Sequence, residues 1–129
     1  MIISIRTDKP EAEIGLYENE KRLSYKKWQA HRELAESLHD KIQELMKTQG
    51  KSWQDIGGVV CYKGPGSFTG LRIGLSLGNA LSYGLGVPVV AERDEKWIQN
   101  GIRKLKNNKN ERHVSPHYGN PVHVTKPKK

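Results

Sequence analysis

Val59-Val60-Cys61-Tyr62-Lys63-Gly64-Pro65-Gly66-Ser67-Phe68-Thr69-Gly70-Leu71-Arg72-Ile73-Gly74 is the stretch on which the fold turns. Its first four residues are a continuous apolar run of strand length. From Thr69, small and apolar residues continue to Leu85 without a proline, which predicts a helix. The segment between them is a loop at a strand-to-helix junction, where main-chain N–H groups and a helix N-terminus converge. Gly64, Pro65, Gly66, Ser67, Phe68, Thr69 and Arg72 are its candidate functional residues. With little side-chain bulk, such a loop either binds a ligand or lets backbones approach closely.

The common phosphate signatures do not fit. A Walker A loop needs Gly-Lys-Ser/Thr after a glycine and four residues, whereas Lys63 precedes the glycines here. The dinucleotide fingerprint needs a third glycine where Thr69 stands. Ser67 or Thr69 can instead cap the helix. Within that helix Gly70, Gly74, Gly78 and Ser82 recur every fourth residue, a stripe without side chains on one face. Glycine in a helix interior costs roughly 1 kcal/mol relative to alanine, so close approach of another backbone must offset it. Two neighbours are open at this point: the chain's own sheet or first helix, or a helix from a partner.

Outward from this core, Ile3 and Ile5, then Ala12, Ile14 and Leu16, then Leu23 and Tyr25 alternate with polar residues across two turns. They predict a three-stranded antiparallel meander. Leu34, Leu38, Ile42, Leu45 and Met46 lie on one face of an amphipathic helix spanning His31 to Thr48, with Gly50 as its stop. Gly86 ends the second helix, Val87 to Ala91 reads as a strand, and Pro88 points to an edge or strand-entry position. Asp94 is the expected cap of a third helix carrying Trp97, Ile98, Ile102 and Leu105. The order β-β-β-α-β-α-β is an α/β fold with a mixed sheet flanked by helices. It is the ribonuclease H-like pattern of one actin-like ATPase lobe. Residues 1–105 are expected to form this lobe and residues 106–129 a basic, extended tail.

At 129 residues the chain is one domain. Its net charge of +8 is uneven: Arg103 to Lys129 carries +7 and the rest +1. A tail of that kind suits RNA, an acidic protein surface, or solubility alone. No apolar run approaches the roughly 20 residues of a membrane span, and the N-terminus does not read as a signal peptide. The lone Cys61 reads as a small core residue in a reducing, cytoplasmic setting. His31 and His39 are too far apart to share an ion without a third ligand, and His113, His117 and His123 have no carboxylate or cysteine near them in sequence. No metal site, cofactor or catalytic residue is expected. Glu33 with Glu36, and Glu92 with Asp94 and Glu95, read as solvated faces and caps.

From Gly64 to Gly74 the sequence closely resembles the hallmark of the TsaB (YeaZ) family of tRNA threonylcarbamoyladenosine biosynthesis proteins. The helix that follows, the strand at Val87 to Val90, the segment Trp28 to Leu45 and the ending Pro116 to Lys129 are similar too. The resemblance implies an actin-like fold and a non-catalytic partner of the TsaD enzyme, with TsaE as a third protein. That complex transfers a threonylcarbamoyl group from its adenylate to an adenine beside the tRNA anticodon. The family's heterodimer contact, carried over, falls on the helices His31–Thr48 and Thr69–Leu85. The implied partner-binding candidates are Leu34, Leu38, Ile42, Gly70, Gly74, Gly78 and Ser82.

Two departures accompany the likeness. Where an actin-like first strand ends in Asp-Thr-Ser, this chain has Arg6-Thr7-Asp8, and a cation in the first place does not suit a metal-bound nucleotide. The stretch Glu92 to Val114 is too short for a second lobe, so a one-lobe version is expected. The leading expectation is a scaffold or activating subunit for a TsaD-type enzyme, reaching tRNA through that complex and self-associating when the partner is absent. The alternative is an RNA-binding module using Arg103 to Lys129, although only Tyr118 offers stacking there. A small nucleotide-binding enzyme rests on the loop alone.

Overall fold

A computed structural model describes residues 1–30 and 34–116 of the chain. Strands β1 (Ile2–Arg6), β2 (Glu11–Glu18) and β3 (Lys21–Gln29) form the expected meander. Helix α1 (Leu34–Thr48) follows, then β4 (Gly58–Tyr62), α2 (Phe68–Leu85), β5 (Val89–Glu92) and α3 (Trp97–Lys106). The sheet order is β3-β2-β1-β4-β5. β1 is antiparallel to β2, with Ile3 opposite Leu16, and parallel to β4, with Ile3 opposite Val59. β5 is parallel to β4 and forms the sheet edge, one of the two positions Pro88 pointed to.

Layering explains the sequence patterns. β4 is buried at every residue because α2 covers one of its faces and α3 the other. Gly78 of α2 lies on Cys61, and Gly101 of α3 lies on Val60. α1 covers β2 and β3 with the face that the spacing singled out: Leu34, Leu38, Ile42, Leu45 and Met46 are all buried. Gly86 ends α2 at φ 69°, donating its N–H to the Ser82 carbonyl. No described helix is long and apolar enough to cross a membrane.

Two local expectations change. Asp94 does not cap α3; it sits at φ 68°, and the flanking residue is Lys96, which makes no side-chain cap. The packed unit also runs past residue 105. Val114 is 3% exposed, and Asn79 of α2 holds both of its main-chain groups, so residues 110–114 lie on the lobe. Proline and asparagine content concealed this contact, because it is made through side chains and not through a regular element. Residues 117–129, which include His117, His123 and the ending that resembled the family, lie outside the described residues, as does the His31 start expected for the first helix.

Cys61 is fully buried, and burial pushes its thiol up from 9.0 to about 12. Between those values the unfolded thiol is ionised while the folded one keeps its proton. The unfolded chain then binds fewer protons, and stability falls as pH rises through that window. Urea midpoints taken across it should fall more steeply for the parent than for Cys61→Ala, by about 1.4 kcal/mol per pH unit. Equal slopes would show that the thiol does not ionise differently in the two states.

Candidate protein-interaction site

The loop before α2 is braced from β1. Arg6 Nε donates to Asp8 Oδ1 at 2.7 Å and Nη2 donates to Oδ2 at 3.2 Å, a two-pronged pair. The same guanidinium lies 3.8 Å from the Tyr62 ring centroid. Tyr62 in turn donates its hydroxyl to the Pro65 carbonyl at 2.8 Å. Ser67 N–H donates to the Asp8 carbonyl at 3.3 Å, and a Cβ on Gly66 would stand 2.5 Å from the Asp8 Cβ. The space beside Gly66 is therefore filled by the chain's own Asp8. Burial lowers the Arg6 pKa, and the hydrogen bonds and charge of Asp8 more than offset this, leaving it raised.

Arg72 is exposed, its guanidinium 5.3 Å from the Phe68 ring, and the two-pronged pair beside the loop is made by Arg6. In the sequence Arg6 stands out only as a departure from a family pattern. Its partner Asp8 lies two positions on, a spacing that puts both at the strand end and offered the available clue. Asp8 is only 6% exposed, so Arg6→Ala leaves a carboxylate buried without its cation. The Arg6 side chain is 19% exposed, which tempers the cost to roughly 2–3 kcal/mol. Denaturant midpoints should show that loss, with part of it recovered by adding Asp8→Asn.

Thr7 fixes the helix itself. Its hydroxyl donates to the Gly70 carbonyl at 2.6 Å and accepts from Gly74 N–H at 3.0 Å. These are the two groups that an α-helix pairs with each other, so Thr7, just past β1, bridges the ladder of α2 with its hydroxyl. A Cβ at Gly70 would strike the Thr7 carbonyl, one at Gly74 the Thr7 side chain, and one at Gly78 the Cys61 sulfur. The glycine stripe thus meets β1 and β4 of its own sheet. Ser82, also buried, donates its hydroxyl to the Val87 carbonyl at 2.5 Å.

This corrects the partner-binding assignment of Gly70, Gly74, Gly78 and Ser82. Leu34, Leu38 and Ile42, at 6%, 2% and 0% exposure, are likewise turned into the core. Periodicity identified the right faces, and the sheet, being nearest, claims them. What remains outward is the opposite side of each helix. Phe68 and Arg72 of α2 are exposed, Ile73 and Leu77 are half-buried, and Tyr83 is 93% exposed. On α1, Ala35 and His39 face them across a groove of about 420 Å³ also lined by Thr69 and Ser76. His39 is steadied by stacking on Trp53, centroids 4.8 Å apart. Exposed Glu36, Asp40 and Glu44 run up α1 at spacings of four, while Arg72 is the one charged residue of α2. The outward surface is apolar along α2 and carries an acidic row along α1, with Lys41 3.9 Å from Glu44 and Lys47 at its end.

Of the basic segment's described cations, Lys104 and Lys106 are paired with acids, while Arg103, Lys109 and Arg112 are exposed. Lys104 lies 2.5 Å from Glu92 and 2.7 Å from Glu111, and Lys106 lies 3.0 Å from Glu20. No group of three or more His, Cys, Asp and Glu side chains with metal-holding geometry occurs among the described residues.

Comparison with solved structures gives the class. A Pseudomonas aeruginosa protein described as uncharacterized with similarity to peptidase YEAZ superposes with TM-score 0.67 at 25% identity, over 72% of this chain and 43% of that one. YeaZ from Pseudomonas aeruginosa does so with TM-score 0.67 at 21% identity, over 83% and 49%, a likeness of fold. The described residues form a ribonuclease H-like lobe of the actin-like type. The family description "TsaD: tRNA N6-adenosine threonylcarbamoyltransferase" matches residues 28–100, more than half of the chain. The chain belongs to that family, and within it to the TsaB (YeaZ) proteins. Among its relatives, the Escherichia coli tRNA threonylcarbamoyladenosine biosynthesis protein TsaB is 36% identical over 87 residues, 59% of this chain and 38% of its own length. The Bacillus subtilis TsaB is 47% identical over 50 residues, 39% and 22%. A tRNA N6-adenosine threonylcarbamoyltransferase of Geotalea uraniireducens is 35% identical over 60 residues, 46% and 18%. The chain spans well under half the length of these curated relatives.

Proposed function

We propose that this chain acts in tRNA threonylcarbamoyladenosine biosynthesis as a non-catalytic subunit that binds a TsaD-type enzyme through the outward faces of α1 and α2. The observation that carries the reading is the face left by the inward glycine stripe. It is an α1–α2 groove with half-buried Ile73 and Leu77 in it and exposed Phe68 and Tyr83 along the same helix. Exposed aromatic and aliphatic side chains with one arginine are the composition of binding hot spots. Acids on α1 and Arg72 on α2 call for a partner with cations facing the first helix and a carboxylate facing the second. A TsaE-type ATPase and tRNA enter the assembly through the enzyme, and the same faces pair two copies of this chain when the enzyme is absent.

The non-catalytic part of the reading is supported by the braced loop. Where a family nucleotide site would carry a carboxylate, Arg6 stands, and the nearby Asp8 is held by Arg6. The test is reconstitution with threonylcarbamoyl adenylate and tRNA. The chain alone should give no modified adenine, the TsaD-type enzyme alone little, and the mixture full transfer with a stoichiometric complex in sedimentation. Transfer by the chain alone, or failure to form the complex, would overturn the proposal.

A further inference from the structure

The two edges of the sheet are protected by different means. The β3 edge carries Lys21, Arg22, Lys26 and Lys27, a row of cations that repels another strand. The β5 edge has no such row: Val89, Val90 and Ala91 are apolar and buried, and Glu92 is its single charge. Its outward main-chain groups are met by residues that follow it in sequence. Val89 N–H donates to Asn110 Oδ1 at 3.2 Å, and the Val89 carbonyl accepts from Glu111 N–H at 2.9 Å. Ala91 N–H donates to Glu111 Oε2 at 3.5 Å, and Lys104 Nζ donates to the Ala91 carbonyl at 3.4 Å. One of these contacts is backbone to backbone; the other three use side chains in place of a strand. Lys104, bridging Glu92 and Glu111, holds the set together. Further along, Asn79 Nδ2 donates to the Val114 carbonyl at 3.1 Å and its Oδ1 accepts from Val114 N–H at 2.8 Å.

We propose that residues 110–114 are a strap over a latent pairing surface, and that the strand it keeps off β5 is β5 of a second copy of this chain. Antiparallel pairing about Val90 sets Val89 of each copy opposite Ala91 of the other. The outward N–H and C=O groups of both residues then satisfy each other in closely spaced pairs. The arrangement is self-complementary across a two-fold axis and brings no like charges face to face. Asn79 is the latch, and Lys104, Asn110 and Glu111 are the stand-in strand. The helix faces that bind the enzyme are not used, so this proposal stands or falls separately from that one.

The test uses the full chain carrying Asn110→Ala with Glu111→Ala, followed by amide hydrogen exchange and sedimentation at low and high protein concentration. At low concentration the Val89 and Ala91 amides should exchange about tenfold faster than in the parent, with the inward Val90 amide unchanged. At high concentration their protection should return in step with a dimer. Self-association through the helices would leave these two amides exposed. Asn79→Ala, which keeps every edge contact and releases the latch alone, should show the same concentration-dependent behaviour at smaller amplitude and serves if the double variant does not fold. Unchanged exchange at Val89 and Ala91 in either folded variant would show that the strap does not close the edge. Faster exchange without recovery at high concentration would show that no second copy takes it. Either result overturns the proposal.

Discussion

Replacing Gly70 or Gly78 by alanine is expected to destabilise this protein, while the same replacement at Gly84 is expected to stabilise it by about 1 kcal/mol. All three sit inside α2, where alanine is ordinarily the better residue by that amount. The difference lies in what the new methyl meets. At Gly84 nothing stands within 4 Å, so only the helix preference remains. At Gly70 the methyl would strike the Thr7 carbonyl, a main-chain atom that cannot rotate away. At Gly78 it would strike the sulfur of fully buried Cys61. Forcing α2 off the sheet costs typically 1–3 kcal/mol, more than the preference returns. It also draws the Thr7 hydroxyl away from Gly70 and Gly74. Denaturant midpoints of the three variants test this as a change of sign. Stabilisation by Gly70→Ala would mean that the stripe is not pressed against β1.

The second large effect is on association. Arg72→Glu together with Tyr83→Glu is expected to weaken binding to a TsaD-type enzyme by at least about a hundredfold, on the scale of two interface hot spots. The denaturant midpoint should stay near the parent's, because Arg72 is exposed and Tyr83 is 93% exposed, so neither supports the core. This pattern is the reverse of that expected for the stripe. Bulky residues at Gly74 or Gly78 abolish binding only by unfolding the lobe that displays the surface. Isothermal titration alongside denaturation separates the two. Intact binding by the outward pair would relocate the interface.

The strand, glycine loop and helix from Val59 onward fixed the architecture, because a buried apolar run and a proline-free small-residue helix have few other arrangements. The spacing of Leu34, Leu38, Ile42, Leu45 and Met46 marked a buried helix face, and the structure buries all five. Spacing cannot say which surface a stripe meets, so Gly70, Gly74 and Gly78 read equally well as a contact between chains or within one. The answer required the position of Thr7, sixty-three residues earlier in the chain than Gly70. Asp94 misled because a capping residue type was present without the backbone geometry to use it. The strap at 110–114 was illegible for a related reason: Asn110 and Glu111 pair with β5 through side chains, which leave no periodic trace.

Binding of a TsaD-type enzyme by the outward faces of α1 and α2 is tested most directly by a hydrogen-exchange footprint of the full chain mixed with that enzyme. Such binding predicts slowed exchange along α1 and α2, centred on Ala35 to His39 and Arg72 to Tyr83, with β3 and α3 unchanged. Protection confined to the sheet or α3, or no protection at all at saturating enzyme, would contradict it.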